Sequence, residues 1–149
     1  MKTSQTICIL FTILFFSIGL LTGIWKYYHI EKSSTALAPE YVNVSHRTAL
    51  MYSFSSLVLE KLCSLSLLED NINIVSCLLV LIFFFMAVLT YIIHGILNDT
   101  DNQLKKPNRL GNFILPNFIS RSFMGMLIIA ELGGFGILAY GAIISAIGN

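Results

Sequence analysis

From Ile72 to His94 the chain reads INIVSCLLVLIFFFMAVLTYIIH, with no Asp, Glu, Lys or Arg. About 20 apolar residues are what a helix needs to cross the hydrocarbon of a bilayer. In that medium the backbone must satisfy its own polar groups, which a helix does within one segment. Three more stretches reach spanning length: Ile7–Trp25, Ala49–Leu68 and Ser122–Ile147. Hydrophobic residues make up 56% of the chain and charged ones 11%, against roughly a quarter charged in soluble domains. The sequence therefore reads as an all-α, polytopic membrane protein: four transmembrane helices in an antiparallel bundle. It forms one domain over residues 1–149, with spans at about 7–25, 47–68, 72–95 and 121–147. Lys2 ahead of an apolar core has the look of a signal peptide. No clear small-x-small cleavage site follows, and the run exceeds a usual signal core, so a retained helix is expected.

The net charge of +1 provides no basic field for nucleic acid, and no zinc spacing, P-loop or dinucleotide fingerprint occurs. Residues 26–44 read as a polar loop, Glu69–Asn71 as a tight connection, and Ile96–Arg121 as the longest loop, of a length often tied to function. Lys26, Lys32, Arg47, Lys105, Lys106, Arg109 and Arg121 fall on one side of the membrane, Lys2 and Lys61 on the other. The positive-inside rule then puts both long loops in the cytoplasm and the termini outside, in a membrane expected to be a bacterial inner membrane.

This topology gathers the three histidines in one leaflet: His29 after the first span, His46 opening the second, His94 closing the third. Arg47, Tyr91, Asn98, Asp99, Asp101 and Arg121 belong to the same layer. Tyr91, His94 and Asn98 share a face if the third helix continues that far. His46 and His94, at matching depth, could ligate haem, share a metal or hydrogen-bond. The Asp99-x-Asp101-x-Gln103 run lacks the glycine and closing glutamate of a calcium loop. Cys8, Cys63 and Cys77 fall in the opposite leaflet and read as small apolar fillers. A Cys63–Cys77 bridge is conceivable there if that side is oxidising.

Two further features carry polar chemistry. His46, Ser53 and Glu60 recur every seven residues, with Ser56 between them, so they form one stripe that should face other helices. Lys61 lies off it and can snorkel. Glu131 sits near the middle of the fourth span, after apolar or glycine residues from Phe123 to Ala130 and before no further charge. It must be protonated, paired or open to water. Ala130, Gly134, Gly141 and Ser145 make a small-residue face suited to helix packing, through which oligomerisation is expected.

The segments SHRTALMYSFSSLVL and LTYIIHGILNDTDNQLKKPNRLG resemble the second and third helices of membrane isomerases of the styrene oxide isomerase type. Hydroxylaminobenzene mutases have a related pattern. The resemblance spans roughly half the chain. It implies a trimer with haem b between subunits, His46 as iron ligand, and Tyr91 positioning substrate while the iron polarises a substrate oxygen. Where those isomerases carry an asparagine two turns after the histidine, this chain has Tyr52. The functional expectation is a haem- or small-ligand-binding isomerase-like protein in the lipid bilayer, with His46 and His94 for the cofactor and Tyr91 for catalysis. The alternatives are a small transporter or proton-handling protein using Glu131 and Glu60, or a structural subunit of a membrane complex.

Overall fold

The computed structural model describes residues 1–148. Its helices are α1 Thr3–Lys32, α2 Glu40–Leu65, α3 Asp70–Leu97 and α4 Asn117–Ile147, with a short antiparallel ribbon, β1 Arg109–Leu110 and β2 Phe113–Ile114, before α4. The all-helical class read from the sequence is the class observed. Helices α1, α3 and α4 are long and apolar enough to cross a membrane. Helix α2 has 26 residues, ample in length at 1.5 Å per residue. Its serines and its His46–Arg47 and Glu60–Lys61 pairs keep it from the apolarity of the other three.

The helices outrun the apolar segments. The polar stretch expected as a loop over 26–44 is helical at both ends, and only Ser33–Pro39 connects α1 to α2. Beyond the apolar zone the backbone keeps helical bonding, and Pro39 sets the entry to α2, whose first turn places Glu40 at the positive end of the helix dipole. Helix α3 stops at Asn98, which adopts a left-handed conformation (φ 45°) and returns its N–H to the His94 carbonyl at 2.8 Å. Asparagine tolerates that backbone better than most residues. Asn98 therefore leaves the helical face that it was expected to share with Tyr91 and His94.

The core lies between the helices and is mostly aliphatic: Leu59, Val80, Leu81, Val88 and Leu138 are buried together. Tyr52 and Phe84 stack at 3.8 Å between centroids, and Phe15 presents its edge to both, an arrangement that adds to simple burial. Leu10, Ile13, Ile24, Val75, Ile129 and Leu132 are exposed on the outside of the bundle, the surface that a hydrocarbon solvent would cover.

Close helix approach is set by small residues. Gly19 and Gly23 of α1 accommodate Leu50 and His46 of α2. On α4, Ala130, Gly134 and Gly141 are buried. Gly134 lies against Ser76 and Val80 of α3, and Gly141 against Ser66 and Leu68 of the α2–α3 link. Leu67 N–H also donates to the Gly141 carbonyl at 3.2 Å. Most of the small-residue face expected to join subunits is thus spent inside the chain.

Candidate functional site

The last turn of α3 carries the most concentrated polar chemistry. His94 Nδ1 donates to Asp99 Oδ1 at 2.8 Å, and the two side chains are only 4% and 6% exposed. The left-handed turn at Asn98 makes this pair by folding the chain back over the helix end. The other oxygen of Asp99 accepts the Gly111 N–H from the β1–β2 turn, where the positive φ of 59° suits glycine. Burial alone would push the Asp99 carboxyl up, but the Gly111 N–H and His94 together outweigh it and hold it below the usual carboxylate range.

Aromatic rings close the cluster from the α2 side. The Tyr41 ring lies 5.1 Å from that of His94 and 5.8 Å from that of Tyr91, and its hydroxyl accepts the Gln103 N–H. Gly95 makes the junction possible, since a Cβ there would meet the Trp25 indole and the Tyr41 backbone. On its other side His94 lines a cavity of about 260 Å³ between α3, the 98–116 link and α4. Met86, Ile93, Leu110 and Phe123 supply apolar walls, and Thr90, Gln103, Asn108, Arg109 and Ser120 polar ones. Asn108 Nδ2 donates to the Gln103 carbonyl at 2.9 Å, whereas the buried Gln103 Oε1 has no partner among the described residues.

His46 is placed elsewhere. Its Nδ1 donates to the Gly19 carbonyl at 2.8 Å, and its ring packs over Gly23. The layer at His94 instead meets α2 at Tyr41, five positions before His46 (46 − 41), or roughly 7.5 Å along the axis. The two histidines therefore do not sit at one depth. The His46 ring is taken up by α1. Within one chain these residues do not fit a haem.

The remaining sites separate as well. Glu60 accepts from Gln5 Nε2 of α1 at 2.7 Å. Ser53 and Ser56 are buried, with their hydroxyls bonded to the Leu50 and Tyr52 carbonyls of their own helix at 2.6 and 2.8 Å, a local solution that needs no partner helix. Glu131 borders a second cavity, of about 300 Å³, with Ser55, Leu59, Val80 and Phe84. Its Oε1 is buried without a partner among the described residues.

The sequence carries no signal for Tyr41 and Asn108, which lie outside the apolar runs, and Gln103 stood out only in the rejected calcium-loop run. It also passed over the Gly19-x-x-x-Gly23 spacing, which would have pointed to the α1–α2 contact. Cys8, Cys63 and Cys77, read as separate fillers, converge from three helices: all are fully buried, and their sulfurs lie within 4.8 Å of one another.

Fold and sites together define a helical membrane protein with a buried His–Asp pair at one end of its bundle. No family model, curated protein or solved structure matches the chain.

Proposed function

We propose that the protein binds a small, largely apolar ligand in the chamber beside His94, in the manner expected of an isomerase-like membrane protein. The observation that carries this reading is the double role of His94: Asp99 holds its Nδ1 while the residue borders the cavity. A carboxylate that accepts the Nδ1–H hydrogen bond favours the neutral tautomer whose lone pair is on Nε2, the arrangement that makes histidine a base or a ligand. The unpartnered Gln103 Oε1 adds an acceptor, so the favoured ligand carries one hydrogen-bond donor on an apolar frame. Tyr91 belongs to the same cluster through Tyr41 and would help to position that ligand. The excess of Lys and Arg on the 33–39 and 98–116 side supports a cytoplasmic opening.

Indole, apolar with a single N–H, is a suitable probe. In detergent-solubilised protein it should bind more tightly than toluene, and His94→Ala and Gln103→Leu should each weaken it by about tenfold or more, since a buried acceptor discriminates against a ligand that cannot donate. Equal binding of indole and toluene, unaffected by His94→Ala, overturns the reading. So does a haem Soret band that survives His94→Ala and disappears in His46→Ala, which would move the site to His46.

A second reading has its own observation. Glu131, with an unpartnered oxygen beside a cavity, fits a proton-handling role, because an ionisable group in a span is costly unless used. In liposomes carrying a pH gradient, Glu131→Gln should abolish any protein-dependent proton flux while leaving the helical content intact. Undiminished flux removes Glu131 from the route.

A further inference from the structure

We propose that Cys8, Cys63 and Cys77 form a trigonal binding site for a soft monovalent metal ion, Cu(I), at the bundle end opposite His94. Each sulfur comes from a different helix, all three side chains have 0% exposure, and the sulfurs lie within 4.8 Å of one another. A planar three-sulfur site with metal–sulfur bonds of about 2.3 Å places its sulfurs about 4 Å apart. Small side-chain rotations bring the cluster to that spacing. Cysteines acting only as fillers would have no reason to share one point at the meeting of three helices.

The donor set selects the ion. Thiolates favour soft metals. Zn(II) in a closed site takes four ligands, and among the described residues no histidine or carboxylate joins this cluster. The nearby Ser4 hydroxyl, which donates to Asp70, is a hard and neutral oxygen that suits a soft ion poorly. Iron–sulfur clusters ordinarily take four cysteines. Cu(I) is satisfied by three sulfurs.

The surroundings form a lid over the site. Lys2 Nζ donates to the Cys63 carbonyl at 3.2 Å and to the Ser66 carbonyl at 2.9 Å, which holds a positive charge at the end of α2. The N-termini of α1 and α3 are tied together where Thr3 N–H and Ser4 Oγ donate to the two oxygens of Asp70. The ammonium and the positive ends of the α1 and α3 dipoles favour a thiolate centre, against the opposing Asp70 carboxylate and the C-terminal end of α2. Binding involves no redox change: one proton leaves for each thiol that binds as thiolate.

The test uses the full chain, purified under reducing conditions in mild detergent and titrated anaerobically with Cu(I) against bathocuproine disulfonate. The expected result is one Cu(I) per chain, three sulfurs at about 2.3 Å by X-ray absorption, and a raised thermal midpoint. Cys8→Ser, Cys63→Ser and Cys77→Ser should each weaken binding by at least about 100-fold. If a variant fails to fold, the sulfur count of the wild-type site decides. Failure of the wild type to hold Cu(I), fewer than three sulfurs around the metal, a Cys63–Cys77 disulfide in the reduced preparation, or tighter binding of Zn(II) than of Cu(I) overturns the proposal.

Discussion

Asp99→Ala should release the 98–116 link from the end of α3. The substitution leaves the His94 Nδ1–H and the Gly111 N–H without their shared acceptor, in a site where both partners of the pair are nearly fully buried. Removing one member of a buried pair costs about 3 kcal/mol or more, because the other is left desolvated. The link is a local unit, so the loss should appear as local opening, with amide exchange of Gly111 and its neighbours faster by about 100-fold. The same pair sets a pH dependence. Asp99 is held below the usual carboxylate range, so the unfolded link binds the proton more readily than the folded one. The stabilisation is fully present above the ordinary carboxylate pKa of about 3.9 and is lost as pH falls through the lower folded value. The protection of Gly111, taken relative to the intrinsic exchange rate at each pH, should therefore fall on acidification in the wild type more than in Asp99→Asn. Equal protection of the link in Asp99→Ala and wild type would mean that the ribbon is held by other contacts.

The contrast between fold and site follows from how far each depends on helix phase. A run such as Ile72–His94 can only be a buried or membrane helix, so the helical class is visible in a linear reading. The inward stripe of α2 was visible too: Ser53 and Ser56 are buried, and His46 and Glu60 both bond to α1. What periodicity could not convey was the relative height of two helices. His46 and His94 share an end of the bundle but not a level, because α2 begins at Glu40, well before its apolar stretch, and meets α3 through Tyr41. The His94–Asp99 pair depends on one left-handed residue, Asn98, that ends the helix where its pattern would have allowed another turn. The cysteines were placed in the correct half of the bundle, yet their convergence requires three independent rotations about three axes. Residues 8, 63 and 77 carry no spacing signal that would reveal it.

Gly134→Leu should disrupt the seat of α4, while the neighbouring Gly133→Leu should leave it nearly unchanged. A Cβ at Gly134 would lie 2.5 Å from the Ser76 carbonyl oxygen and 2.8 Å from Val80 Cγ2, whereas one at Gly133 would meet nothing within 4 Å among the described residues. The obstacle at Gly134 is backbone, which cannot rotate aside as a side chain does, so α3 and α4 must separate. Overpacking a tight interior costs about 1–3 kcal/mol and sometimes more, and here the displacement also loosens Leu138 and Val80, which lie in the same core. Surface substitutions usually stay within about 0.5 kcal/mol, and at Gly133 the added side chain would extend toward lipid. Both variants replace glycine with leucine in the same helix, so their difference removes the change in helix propensity and isolates the contact. Thermal unfolding in detergent, followed by circular dichroism, should lower the midpoint strongly for Gly134→Leu and little for Gly133→Leu. Equal midpoints would mean that α4 is held by something other than its small-residue face. A fall at Gly133 alone would mean that the outward side of α4, rather than the inward one, makes the tight contact, as an oligomer built on that side would require.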